Sequence, residues 1–239
     1  MPDQDGHAVY ELAQVMDRLR RECPWDMRQT HASLAPYLLE ETYEALDALD
    51  RGDLADLREE LGDVLLQVVF HARVAAERTD GTAFDLDDVA GDIAAKLVRR
   101  HPHVFGDVAV CGPEEVRRNW NAIKAAERAA AGSAKTSALD GVPMSQPALS
   151  LAAQLQRRAE AAGAPRSLAD LPAKAPEPAG PSVTGGEAGE RPAGTVSQLG
   201  ADLFALVSKA RAAGLNPELE LRHAARVYSD RVRAWESSG

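Results

Sequence analysis

Two cysteines in 239 residues, Cys23 and Cys111, are too few for a disulfide scaffold, and no cysteine or histidine cluster has the spacing of a zinc site. No apolar run approaches the roughly 20 residues of a membrane span. The first residues, Met-Pro-Asp-Gln-Asp, lack the basic and apolar segments of a secretory signal, so the expectation is a cytoplasmic protein with no membrane partner. Basic side chains are outnumbered, 27 against 37 acidic ones, for a formal charge of −10. Gripping a nucleic-acid backbone needs a basic face, and this balance argues against nucleic acid as a partner. Aromatics make up only 5%. Eight of the eleven fall in residues 1–120 and none between 121 and 203, so the two halves differ in kind. Hydrophobic residues at 45% still supply a core.

What is there is helical spacing almost throughout, with scarcely any β-branched alternation, which predicts an all-α fold. Val9, Leu12, Met16 and Leu19 mark a first helix at about 7–21, ended at Cys23-Pro24-Trp25-Asp26. A second helix is expected over 33–50, stopped by Gly52, with Asp53 capping a third over about 54–78. A fourth over 85–100 starts at Asp85 and stops before Pro102, and a fifth starts at Pro113-Glu114-Glu115. Residues 164–195 hold six prolines and five glycines with almost no large apolar side chains, the composition of a disordered linker. Helical spacing returns over about 196–213 and 217–235. The expected organisation is a helical domain at 7–131, a connecting segment with a helix at 132–163, the linker at 164–195 and a helical remnant at 196–236. An internal echo supports the word remnant. Glu60–Ala75 aligned on Gln198–Ala213 matches Leu61, Gly62, Leu65, Val69, Ala72, Arg73 and Ala75 to identical residues, while Glu60 meets Gln198 and Asp63 meets Ala201.

The acidity is concentrated. From Glu40 to Asp63 the chain carries ten acids and only two bases, Arg51 and Arg58. Gly52 lies eight residues from both Glu44 and Glu60 and eleven from both Glu41 and Asp63. An antiparallel hairpin turning at Gly52 sets Glu44 level with Glu60, and Glu41 level with Asp63, at roughly 12–17 Å from the turn. Glu40 lies beside them, and Glu41, Glu60 and Asp63 border the apolar stripes. Facing carboxylates repel, and a hard divalent cation, Mg²⁺ or Mn²⁺, supplies the missing counter-charge; such ions bridge carboxylates to substrate phosphates. The alternative is a solvated acidic face, which suits Asp47, Asp50, Asp53 and Asp56. A di-iron carboxylate bundle fits poorly, because no histidine follows these acids at i+3.

The pattern Glu40-Glu41-Thr42-Tyr43-Glu44 followed by Glu60-Leu61-Gly62-Asp63 resembles the MazG family of all-α nucleoside triphosphate pyrophosphatases. The blocks Cys23-Pro24-Trp25-Asp26 with Gln29-Thr30, and Arg99-Arg100-His101-Pro102-His103-Val104-Phe105, agree with it, so the resemblance covers about residues 8–130. It implies an antiparallel helical bundle acting as a homodimer, with the C-terminal helices as a degenerate second copy that lacks its acidic helix. It also implies Mg²⁺ held by Glu41, Glu44, Glu60 and Asp63, with Glu40 supporting a second ion or orienting water. The implied reaction hydrolyses a nucleoside triphosphate to the monophosphate and pyrophosphate.

Lys96 and Arg100, one helical turn apart, match family positions expected to touch the triphosphate; a helix C-terminal charge effect is the other reading. Lys124 is a weaker candidate of the same kind. Trp25, in a loop, either stacks on a nucleobase or seals the end of the bundle. His101 and His103 read as capping or packing residues and His71 as structural. The competing function is a non-catalytic nucleotide-sensing module, suggested by the eroded second half.

Overall fold

Helix boundaries follow from capping chemistry. In the computed structural model, which describes residues 7–130, 137–174 and 196–237, α1 spans His7–Glu22, α2 His31–Arg51 and α3 Leu54–Ala75. The start of α2 lies two residues before the expected one. Thr30 accepts from the Ser33 backbone N–H while the Ser33 hydroxyl reaches back to the Thr30 N–H, a reciprocal cap. Gly52 ends α2 in the left-handed region at φ 69°, where a side chain is strained, and Asp53 then caps α3 by accepting from the N–H groups of Ala55 and Asp56. Two residues thus reverse the chain between helices of 21 and 22 residues.

The remaining helices are α4 (Leu86–Arg100), α5 (Pro102–Phe105), α6 (Pro113–Ala130), α7 (Ala148–Ala161), α8 (Gln198–Ala212) and α9 (Pro217–Glu236). Asp85 and Asp88 form a reciprocal cap on α4. Strand content among the described residues is one two-residue parallel pair, β1 (Ala173–Lys174) with β2 (Val196–Ser197), and the fold class is all-α. No helix among the described residues is long and apolar enough to cross a membrane.

The chain divides into two units, residues 1–133 and 134–239. In the first, Met16 of α1, Leu34 of α2 and Val69 and Phe70 of α3 make the buried core, with Leu12, Leu65, Leu66, Val74 and Leu86 packed around it. An ion-pair network ties α1 to the far end of α3: Arg73 donates to Asp17 at 2.9 Å and to Glu77 at 3.0 Å, and Arg20 grips Glu77 through two nitrogens at 2.9 and 2.8 Å.

In the second unit α7 packs on α8 and α9, so the helix expected within the connecting segment belongs to this unit. Buried Gln156 donates to the Phe204 carbonyl at 2.9 Å, and Arg211 of α8 pairs with Glu160 of α7 at 2.6 Å. Arg211 is the residue that the internal echo matches to Arg73, and in each unit that arginine ties its helix to another. The beginning of the expected disordered stretch is ordered. Arg166–Ala169 form a 3₁₀ turn, and β1 pairs with β2 partly because the Val196 N–H donates to the carbonyl of Pro172, a bond that asks no donor of the proline. The rest of that stretch lies outside the described residues.

Candidate functional site

The α2–α3 hairpin carries the carboxylates. Glu41, Glu60 and Asp63 are half-buried, and an oxygen from each lies within 4.8 Å of the others. None of the three makes an ion pair with a basic side chain among the described residues. Burial first, and then the charges of Asp63, Glu44 and Glu60, push the Glu41 carboxyl above the usual glutamate range. Glu60 is raised in the same direction, by burial first and then by Glu44, Asp56, Asp63 and Glu59. The strongest charge neighbour of Glu41 is Asp63 and that of Glu60 is Glu44, the level pairs about Gly52. Three acids on a half-buried seam, with Glu41 and Glu60 raised in proton affinity and no basic side chain paired to any of the three among the described residues, form an oxygen-only donor set suited to a hard divalent ion.

The other candidates are placed less uniformly. Glu44 is exposed and lies within hydrogen-bonding reach of Glu41 at the rim, and Glu40 is exposed outside the three-carboxylate group. Lys96 is half-buried on α4, with no hydrogen bond or ion pair among the described residues. Arg100, one turn on, is held. Its Nε and Nη2 donate to Glu127 of α6 at 3.0 and 2.7 Å, and its guanidinium lies 5.2 Å from the centre of the Trp120 ring. Lys124 is half-buried on α6, the helix that supplies Glu127. His101 accompanies Trp120, its ring 5.0 Å away and edge-on, while its Nδ1 meets the Leu97 carbonyl at 2.7 Å, so it packs the end of α4.

Trp25 seals the end of the bundle and keeps one face open. Its ring meets Tyr37 edge-on at 5.9 Å and Phe70 at 6.3 Å, closing the core, yet half of the residue remains exposed. The loop that carries it is clamped from below: Arg20, only 9% exposed in its side chain, donates through Nη1 to the carbonyls of both Asp26 and Gln29 while its other nitrogens hold Glu77.

Sequence reasoning missed three polar features. His31 and His71 approach with Nδ1 atoms 2.8 Å apart in nearly coplanar rings. The 5.1 Å between ring centres is little more than that contact plus the two ring radii, so the rings meet edge to edge and share one proton. Burial, and then His31, lower the proton affinity of His71. Glu127 was invisible because it lies 27 residues from the arginine it holds. Gln67 is buried at 6% exposure, and its Oε1 has no partner. A glutamine set in the leucine and valine stripe of α3, one turn after Asp63, was the available signal for it.

Comparison with known proteins identifies the family. A model of the MazG nucleotide pyrophosphohydrolase domain matches residues 29–105, the stretch that contains all the acids of the hairpin. An uncharacterized 26.1 kDa protein of Streptomyces cacaoi is 44% identical over 98% of this chain and 85% of its own length. A Thermotoga maritima protein named nucleoside triphosphate pyrophosphohydrolase/pyrophosphatase MazG is 39% identical over 97% of this chain and 86% of its own length. The Escherichia coli K12 nucleoside triphosphate pyrophosphohydrolase is 50% identical over 63% of this chain, which spans 56% of that relative. A crystal structure of a MazG-related protein from T. maritima aligns with a TM-score of 0.43 at 28% identity, covering 48% of this chain and 98% of that one. Near-complete alignment with a relative that carries the family name, and a domain match over the carboxylate hairpin, mean that this chain belongs to the MazG family.

Proposed function

We propose that the protein is an Mg²⁺-dependent nucleoside triphosphate pyrophosphohydrolase, with Mn²⁺ as a substitute ion, working as a homodimer in nucleotide-pool housekeeping. The observation that carries this reading is the meeting of Glu41, Glu60 and Asp63 within 4.8 Å, half-buried and with no basic side chain paired to them among the described residues. Those three would hold the ion, with Glu44 at the rim and Glu40 supporting a second ion or orienting water. When bound, the ion lowers the pKa of water and neutralises phosphate charge. Water attacks the α-phosphorus, and the bond from that phosphorus to the oxygen bridging to the β-phosphate breaks. The oxygen of water ends in the monophosphate, and one of its protons passes to a carboxylate of the cluster.

On the basic side Lys96, which makes no hydrogen bond or ion pair among the described residues, would meet a phosphate, and Arg100 is presented in a fixed orientation by Glu127 and Trp120. Lys124 is a third, subsidiary contact. Trp25 offers its exposed half to the nucleobase from a loop that Arg20 holds in place. The dimer reading draws on Leu39, Leu54 and Leu61 of the same hairpin, each more than half exposed. The second unit is read as a copy without carboxylates, since Gln198 and Ala201 stand where Glu60 and Asp63 stand in the first.

The test is product analysis. With Mg²⁺ and a panel of ribo- and deoxynucleoside triphosphates, canonical and damaged, the protein is expected to release pyrophosphate and no orthophosphate. Nucleotide binding without turnover across the panel would favour the sensing module.

A further inference from the structure

Gln67 lies on α3 one turn after Asp63 and one turn before His71, so the three share a face of the helix. Asp63 meets Glu41 of α2, and His71 meets His31 of α2. Gln67 therefore enters the α2–α3 seam between these two contacts. It is 6% exposed there, its Oε1 has no partner, and the amide makes no hydrogen bond among the described residues. Beyond it the Nε2 of His71 is also buried and unpartnered. An orphaned buried amide costs about 1–3 kcal/mol. A leucine would fill the same stripe without that cost, so the bare fold gives this glutamine no reason to be there.

Two neighbours connect the orphan to the nucleotide. Phe70, beside His71 on α3, touches the Trp25 ring at 6.3 Å, so the half-exposed tryptophan stands at the same level of the helix. Pro36 interrupts α2 at the level of Gln67, given that Glu41 faces Asp63 and His31 faces His71. A proline has no N–H, so the carbonyl of Ala32 loses its donor within the helix. Ala32 and Pro36 are both exposed, so within the seam the unpartnered groups are Gln67 Oε1 and His71 Nε2.

We propose that Gln67 is the specificity-determining residue of the site, its amide hydrogen-bonding the polar edge of the nucleobase whose ring lies on Trp25, with His71 Nε2 as the next group along. This rests on the pyrophosphohydrolase reading. At 1.5 Å per residue, Gln67 and His71 lie about 6 and 12 Å along the helix from Asp63, within the length of a nucleoside whose α-phosphate is held at the carboxylates. An amide donates and accepts at once, which matches the adjacent donor and acceptor of a base edge.

The experiment compares the full chain with Gln67→Leu, and with Gln67→Met should the leucine fold poorly. The expected result is a melting temperature equal to or above that of the wild type and KM for nucleoside triphosphates raised about tenfold. kcat should change by less than about twofold, because the amide does not touch the reacting phosphorus. Preference among bases should flatten, and inhibition by inorganic tripolyphosphate, which has no base, should keep its Ki. Unchanged KM and base preference would overturn the proposal, as would an equal loss toward nucleotide and tripolyphosphate. Should the wild type release no pyrophosphate, the reading of the reaction fails separately. Binding of an α,β-methylene nucleotide then decides for Gln67: about tenfold weaker in the variant supports it, and equal affinity overturns it.

Discussion

Glu41→Gln should lower pyrophosphate release by about a thousandfold and, in the same preparation freed of metal, raise the melting temperature at pH 7. The two effects share one cause. Glu41 sits in a half-buried seam with Asp63, Glu44 and Glu60, and its carboxyl binds a proton more tightly in the folded state than in the unfolded chain. The metal-free fold therefore holds more protons than the unfolded state at pH values just above the ordinary glutamate pKa, and its stability falls as pH rises through that window. Glutamine removes the charge that creates this penalty and keeps the shape. The same substitution removes a ligand from an oxygen-only donor set, which is why activity and metal-free stability should move in opposite directions. Thermal melts with and without chelator, beside a pyrophosphate assay, measure both. A variant that loses activity and stability together would mean that Glu41 supports the fold instead of repelling its neighbours.

Arg20→Met should cost about 3 kcal/mol of unfolding free energy, the largest effect expected of any change outside the carboxylates. The guanidinium is nearly buried and serves two masters: the Glu77 carboxylate at the end of α3, and the carbonyls of Asp26 and Gln29 in the loop carrying Trp25. Methionine fills part of the volume but leaves both carbonyls without that donor and Glu77 with Arg73 alone. Lysine, which cannot present a planar fork, should recover less than half of the loss. Urea denaturation of the three proteins at pH 7 gives the comparison. Equal stabilities would show that the loop holds itself in place without Arg20.

The hairpin was legible because its signals are local. Gly52 and Asp53 end one helix and start the next within two residues, and equal spacing on either side of the turn sets the acids level. The same spacing singled out Glu41, Glu60 and Asp63 as acids bordering the apolar stripes, while Glu40 and Glu44, farther from them, are exposed. What stayed hidden depends on distant partners. Arg100 is held by Glu127 from another helix, and the acceptors of Arg20 are two carbonyls and an acid 57 residues away. The His31–His71 contact spans 40 residues and carries no motif. Composition misjudged residues 166–174 for a related reason: proline-rich segments can still accept hydrogen bonds, and β1 finds its donor at Val196, beyond the residues outside the description.

If the acidity of the hairpin is a cation site built from Glu41, Glu60 and Asp63, Mn²⁺ titrated into the metal-free protein, with free ion followed by electron paramagnetic resonance, shows it without any assay of turnover. Saturable binding by the wild type is expected, lost or greatly weakened in both Glu41→Gln and Asp63→Asn, with Mg²⁺ competing for the same site. Binding that persists unchanged in both variants, or a wild type that takes up no Mn²⁺ even with a nucleotide present, would contradict it.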